Sequence, residues 1–437
     1  MVELEINNSL SQVRGLTSTP FTKLRKILSY NTDRSAAFFA GGRYPSVRYV
    51  IDNKGNFNTG FLSIVTKFLA EQKIPYKPTD NRKLPTEHVD HGVDFKDLIP
   101  HNFQLDAMEF IAKEHRGIVS APTGSGKSVV IALIVARLRV RTLIVVPSLQ
   151  IKEQLITVLK SFMSDMSNIT VENIDSGKLK TAKDYHCLII DEAHHVAAKT
   201  YQRLNKSAWG NIYYRAFLTA TPFRNQTEET LLFEGIAGKN LYRLSYNTAV
   251  QNKYIVPLEA YYIDVPKTST DAYTWAEVYS TLVISNTMRN TAVCVLILRL
   301  QALGKATLCL VKEIRHGELL SKETGIPFAN GQDDTTRQYI DRFNKGEIPV
   351  LIGTEGIIGE GVDTKPCEYV VIAGLGKAKS AFMQKCGRGL RVYPGKESCK
   401  IFLFRDNSHK FLLRHYREQV KVLKEEYNVI PTRLEIK

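Results

Sequence analysis

The stretch Ala121-Pro-Thr-Gly-Ser-Gly-Lys-Ser128 carries residue types suited to a triphosphate. An apolar run, Gly117 to Ala121, precedes it, and Val129 to Leu138, apolar at helical spacing, follows. In a strand, glycine-rich turn and helix, backbone N–H groups converge on an anion and the helix adds its positive dipole end. Thr123, Gly124, Ser125 and Gly126 form the turn, the two glycines being free to take φ > 0. Lys127 can reach the outer phosphates of ATP, and the Ser128 hydroxyl can hold Mg2+. The strict pattern has glycine where this chain has Ala121.

Cys187-Leu-Ile-Ile-Asp-Glu-Ala-His194 is an apolar strand ending in two adjacent carboxylates. Asp191 would hold the metal, and Glu192 would orient and deprotonate the water that attacks the γ-phosphate. Thr219 and Thr221, after another apolar run, are short donors and acceptors able to link the nucleotide to a moving neighbour. Gln384, Arg388 and Arg391 fall at i, i+4 and i+7, the spacing of one helix face. Two arginines so placed suit charge stabilisation of a transferring phosphoryl group, and a basic solvated face is the alternative. Gly353 to Asp363 is a glycine-rich loop in which Thr354 can donate to a nucleic-acid phosphate and Asp363 can meet a ribose hydroxyl.

Such groups need strands to deliver them. Ile118–Ala121, Thr142–Val146, Cys187–Ile190 and Ala216–Thr219 are short, continuous and apolar, as buried parallel strands are. Thr307–Val311, Val350–Ile352, Tyr369–Ile372 and Ile401–Phe404 repeat the pattern without a second phosphate loop. Helical stretches between the runs predict two doubly wound α/β domains, 97–248 and 249–437, behind a small α/β unit at 1–96. Arg43 to Ile51 reads as a strand, Asp52 to Gly55 as a turn, Phe61 to Ala70 as a helix, and Pro75 to Pro85 as an extended connector. Met288 to Leu298 and His409 to Tyr427 read as helices.

Charged residues make up 24% of the 437, and the net charge of +15 favours an acidic partner, nucleic acid first. From Ala373 onward fifteen Lys+Arg face six Asp+Glu. Tyr30, Phe38, Phe39, Tyr44 and Tyr49 lie among charges near the N-terminus, which fits a nucleic-acid face and core aromatics equally. The six cysteines form no C-x-x-C pair, which argues against a zinc site and for reduced thiols. No signal peptide and no bilayer-length apolar run is legible, so a cytoplasmic location is expected, the host cytoplasm for a phage product.

These blocks, in this order from about Pro100 to Arg391, resemble a superfamily 2 helicase. The resemblance implies two tandem RecA-like parallel-sheet domains that ATP closes and hydrolysis reopens, moving the protein along a strand. It places Gln104, within Phe103-Gln-Leu-Asp-Ala107, against adenine. It assigns Pro147 and Ser148, then Ser176, Gly177 and Lys178, to a nucleic-acid strand in the first domain, with Thr354 as their counterpart in the second. His194, where DEAD-box proteins carry Asp, argues against an RNA clamp of that type. The small N-terminal unit, Met288-Arg-Asn290 and Lys385 resemble phage helicases of the UvsW type, relatives of RecG-like and XPB-like enzymes. That group implies branched DNA, forks and Holliday junctions, as the substrate. An RNA helicase, a double-strand translocase and an ATP-gated clamp without motor activity are the alternatives.

Overall fold

Strands such as Thr142–Val146 and Cys187–Ile190 are apolar at every position because both sheet faces are covered, and every residue in them is buried. A computed structural model describes the chain except residues 32–46, 96–98, 182, 222–227, 357–365, 375, 377–378 and 436–437. The chain divides into two compact units: Met1–Ala121 with Lys127–Arg243, and Pro122–Gly126 with Leu244–Lys437.

The first unit holds a six-stranded parallel sheet. Its order is Leu241–Arg243, Arg116–Ser120, Tyr214–Thr219, Cys187–Ile190, Thr142–Val146 and Ile169–Asn173. All eight strands expected in the two doubly wound domains are present, several of them longer than expected. Ile169–Asn173 and Leu241–Arg243, at the sheet edges, were not legible, because an edge strand mixes polar and apolar residues.

A second sheet in this unit runs Asn56–Asn58, Leu10–Arg14, Val2–Ile6, Tyr76–Asp80. The Pro75–Pro85 stretch is thus more than a connector. Tyr76–Asp80 pairs parallel to Val2–Ile6, with Pro78 opposite Leu4, and an edge strand tolerates a proline that cannot donate. In the expected Asp52–Gly55 turn, Asp52 Oδ1 accepts from the N–H groups of Lys54 and Asn56 at 2.8 and 2.9 Å, and Gly55 has φ +81°. Of the strand expected at Arg43 to Ile51, Val47–Tyr49 is formed, and 43–46 lie outside the described residues, as do Phe38, Phe39 and Tyr44.

The small sheet is fastened to the large one. Phe57, Phe61 and Val65 share a buried cluster in which Leu231, from the Glu228–Ala237 helix, is partly buried. Gly60 has no room for a Cβ, which would collide with the carbonyl oxygens of Glu234 and Gly235, and a Cβ on Gly235 would sit 2.8 Å from the Phe61 ring. Ser9 Oγ donates to Asn205 O, and Asn8 Nδ2 donates to Asn211 O at 3.0 Å.

The second unit is a seven-stranded sheet in which every pairing is parallel. Its order is Phe328–Ala329, Val350–Thr354, Thr307–Val311, Tyr369–Ile372, Cys399–Asp406, Leu258–Val265 and Thr432–Arg433. The Thr287–Ala302 helix covers the sheet through Val293, Ile297 and Leu300, and Lys410–Tyr427 is the long basic helix expected. All six cysteines are free thiols, five of them buried. Among the described residues no single helix is long and apolar enough to cross a membrane. The bent pair Trp275–Ile284 and Thr287–Ala302 passes by composition alone.

Candidate nucleotide and nucleic-acid site

Register places the chemistry of the first unit. Ser120 pairs with Thr219, and Ile190 pairs with Phe217 and with Val145. Parallel strands in this register all end at one sheet edge. Ala121, Asp191, Thr219 to Thr221, and Pro147 therefore emerge together, as ligand-binding residues do in doubly wound sheets. The Ala121 N–H donates to Thr219 O at 3.1 Å, and the Asp191 N–H to Val145 O at 3.0 Å.

The glycine-rich loop expected to hold phosphates takes the conformation its glycines predict, with φ +89° at Gly124 and +93° at Gly126. Ser125 Oγ donates to Pro122 O at 2.8 Å and braces the turn. Lys127 and Ser128 open a helix that runs to Leu138 and is buried from Val130 to Val135. Gln104 is buried and caps its own helix, its Oε1 accepting from the His101 N–H at 2.9 Å.

The acid pair is strained and electrostatically uneven. Glu192 has φ +46°, a left-handed conformation that costs a non-glycine residue about 1–2 kcal/mol. Its N–H donates to Asp191 Oδ1 at 2.9 Å, and His194 Nδ1 lies 3.3 Å from its Oε2. Burial, then the neighbouring Glu192 charge, pushes Asp191 up to about 6. Burial also opposes ionisation of Glu192, but the Lys127 ammonium and the His194 imidazole overcome it and hold that carboxyl low. A buried pair with so little cationic compensation at Asp191 suits a divalent ion. His194 Nδ1 also lies 3.4 Å from Thr219 Oγ1, which accepts from the Thr221 N–H at 3.1 Å. Acid, imidazole and two threonines form one chain of contacts.

The nucleic-acid residues expected in this unit cluster around an acid that sequence reading missed. Ser148 caps the Leu149–Phe162 helix, its Oγ accepting from the Ile151 N–H at 3.3 Å. Lys152, one turn on, reaches Glu172 Oε2 at 2.7 Å, and Lys178 reaches Oε1 at 3.4 Å. Burial would raise the Glu172 carboxyl, but Lys152, Ser176 and Lys178 hold it below its usual range. A Cβ on Gly177 would meet nothing within 4 Å, so the backbone there is open. The legible signal was a lone acid in an otherwise uncharged strand, Ile169-Thr-Val-Glu-Asn173, since a buried carboxylate requires partners.

In the second unit the Lys379–Arg388 helix carries Gln384 and Arg388 but ends before Arg391, so the three do not share one helix face as their spacing predicted. The Gly389 N–H bonds to Cys386 O at 3.2 Å and the Leu390 N–H to Gly387 O at 3.3 Å, turning the chain out. Both glycines are forced by close approach. A Cβ on Gly389 would strike the Cys399 sulfur, and one on Gly387 the Thr123 side chain, which groups with this unit. A Cβ on Gly124 would likewise meet Arg391 Cγ at 3.2 Å. Burial lowers the Arg391 guanidinium from its ordinary value. Lys385 is buried against Glu355, one residue past Thr354 at the end of the Val350–Thr354 strand. Asp363 lies outside the described residues.

Two family models match. One described as "Type III restriction enzyme, res subunit" covers residues 96–186, and one described as "Helicase conserved C-terminal domain" covers residues 288–393. The chain carries the paired domain models expected of a superfamily 2 helicase. The helicase is an ATP-dependent enzyme. It is 25% identical over 398 residues to a helicase candidate, number 22, of Sulfolobus islandicus filamentous virus, covering 78% of this chain and 70% of that one. It is 28% identical over 208 residues to the DNA 3'-5' translocase XPB2 of Sulfurisphaera tokodaii, covering 44% of this chain and 45% of that one. The helicase thus matches under half the length of that second relative. Its fold is that of an HsdR-subunit candidate of a type I restriction enzyme from Vibrio vulnificus, with TM-score 0.58, 16% identity, and coverage of 97% and 83%.

Proposed function

We propose that the helicase uses ATP to move on DNA and remodels branched DNA, by junction migration and fork regression, in replication, recombination or repair. The observation that carries the motor reading is the shared sheet edge of Ala121, Asp191–Glu192 and Thr219. The DNA reading draws on the net charge of +15 and on a relative named as a DNA translocase. The branched-substrate reading draws on the small N-terminal sheet fastened to the first unit, a second surface that travels with it.

In this reading Gln104 contacts adenine, while Thr123 to Gly126 and Lys127 cradle the phosphates. Ser128 and Asp191 would hold Mg2+, whose contribution there is to neutralise phosphate charge. Glu192, kept ionised beside His194, accepts the proton of the attacking water. His194, Thr219 and Thr221 pass the state of the site to the nucleic-acid residues. Gln384, Arg388 and Arg391 stabilise charge on the transferring phosphoryl group, and Asp363 contacts the nucleotide ribose. Pro147, Ser148, Ser176, Gly177, Lys178 and Thr354 grip the strand. The accessory segment 1–96 contacts DNA, and the motor domains are 97–248 and 249–437.

The reading is tested by strand displacement on three-way junctions, four-way junctions, linear DNA duplexes and RNA duplexes of equal length. Junctions should be processed fastest. RNA processed as fast as DNA would replace the substrate class, and equal rates on linear and branched DNA would remove the branch specificity. Arg391→Ala should keep DNA binding and lose roughly 10³-fold or more in ATP turnover. Undiminished turnover would place Arg391 outside the chemistry.

A further inference from the structure

Tyr273 is 85% exposed, the most exposed aromatic side chain among the described residues. Single exposed apolar residues are common and need no ligand. This one differs in how it is held. Its N–H and that of Thr274 both donate to Glu277 Oε2 at 3.0 Å, and the Thr274 hydroxyl accepts from the Glu277 N–H at 3.3 Å. That reciprocal cap starts the Trp275–Tyr279 helix and fixes the backbone that carries the ring. Beneath it Val278, Leu282, Val283 and Leu412 form a separate buried cluster, and the Trp275 ring lies 4.2 Å from His415. The Thr268 N–H donates to Ser408 Oγ at 2.9 Å, closing the segment onto the loop before the basic helix.

Tyr273 borders a concavity whose other walls include Thr270, Asp271, Ser408, His409 and Lys410. His409 Nδ1 accepts from the Phe411 N–H at 3.2 Å, so neutral His409 carries its proton on Nε2, as a donor. Lys410 begins a helix whose exposed positions include Arg414, Arg417, Lys421 and Lys424. A rigid ring, a donor imidazole and an ammonium suit a ligand with planar faces and phosphates. Asp271 repels phosphate and accepts from amino and imino N–H groups, so it favours a base edge on its side and the backbone on the side of Lys410.

We propose that Tyr273, His409 and Lys410 form a stacking site that holds a base of single-stranded nucleic acid as the strands part. The inference rests on the motor reading above and adds a place where a separated base is held. Stacking tolerates any base and contributes about 1–3 kcal/mol per base, or roughly 5- to 150-fold in affinity.

The helicase has a built-in reporter. Trp209 is fully buried, whereas Trp275 is partly exposed two residues from Tyr273. Binding of an oligothymidylate to the full chain is read from tryptophan fluorescence, with linear polyphosphate as the charge-only comparison. The oligothymidylate should shift the signal and polyphosphate should not. Tyr273→Ala should weaken oligothymidylate affinity at least about fivefold and slow strand displacement. Tyr273→Phe, which keeps the ring, should bind as the parent does, and ATP hydrolysis without nucleic acid should be unchanged in both. Equal shifts from polyphosphate, equal losses in both variants, or parental affinity in Tyr273→Ala would each overturn the proposal. A parent protein whose ATP hydrolysis no nucleic acid stimulates contradicts the motor reading itself. Stimulated hydrolysis with an indifferent Tyr273→Ala contradicts the stacking site alone.

Discussion

Glu192 and Glu172 are both acids at strand ends, and they were unequally legible. Glu192 follows Asp191 at the end of a four-residue apolar run, so its place at a sheet edge could be read from adjacent residues. Glu172 acquires its role from Lys152, 20 positions before it, and from Lys178 on the following turn, and no local pattern announces such a meeting. The structure makes Glu172 the tie between the two segments assigned to the nucleic-acid strand. Glu172→Gln should release both lysines and weaken DNA affinity by about fivefold, on the order of 1 kcal/mol for a part-buried ion pair. Turnover at saturating DNA should stay at the parental level. A fall in turnover with affinity intact, measured by titrating DNA into an ATPase assay, would show that Glu172 serves the nucleotide instead.

The central strands were legible because continuous apolar runs have few other uses, and those at Thr142–Val146, Cys187–Ile190 and Thr307–Val311 match to the residue. Edge elements were not: Tyr76–Asp80 joins its sheet through backbone pairing and the Tyr76 side chain, and all its other residues are exposed. The Gly60–Gly235 contact was also hidden, since a glycine needed for close approach looks the same in sequence as one in a loose turn. Gly60→Ala should destabilise the first unit by about 3 kcal/mol, because the added methyl meets backbone that cannot rotate away. An unchanged melting temperature would mean the two sheets are not tightly packed there. In the second unit His316 is fully buried, its Nε2 3.1 Å from Asn290 Oδ1, and burial plus the Arg289 charge drop its pKa to about 3. Above pH 6.5 both folded and unfolded states keep it neutral. Between about 6.5 and 3 only the unfolded state takes the proton, so stability falls as pH falls, by about 1.4 kcal/mol per pH unit. Denaturant midpoints of parent and His316→Gln should converge with decreasing pH, and parallel lines would contradict the buried neutral imidazole.

For the whole molecule, charge is the property that sequence conveyed most directly. An excess of +15 on 437 residues should make DNA binding depend on counterion release. Affinity should fall at least about tenfold between 50 and 200 mM salt, and a flat salt profile would remove phosphates from the interface. The two parallel sheets were legible from the recurrence of apolar runs. The strands of the small N-terminal sheet were not legible, and its packing against the large one depends on contacts such as Ser9 with Asn205. The most direct test of the account is ATP hydrolysis by Glu192→Gln with and without DNA. ATP binding should survive, while DNA-stimulated turnover should drop by about 10²-fold or more. Parental turnover in that variant would contradict the assignment of the water-activating base and, with it, the reading of this sheet edge as the motor's catalytic centre.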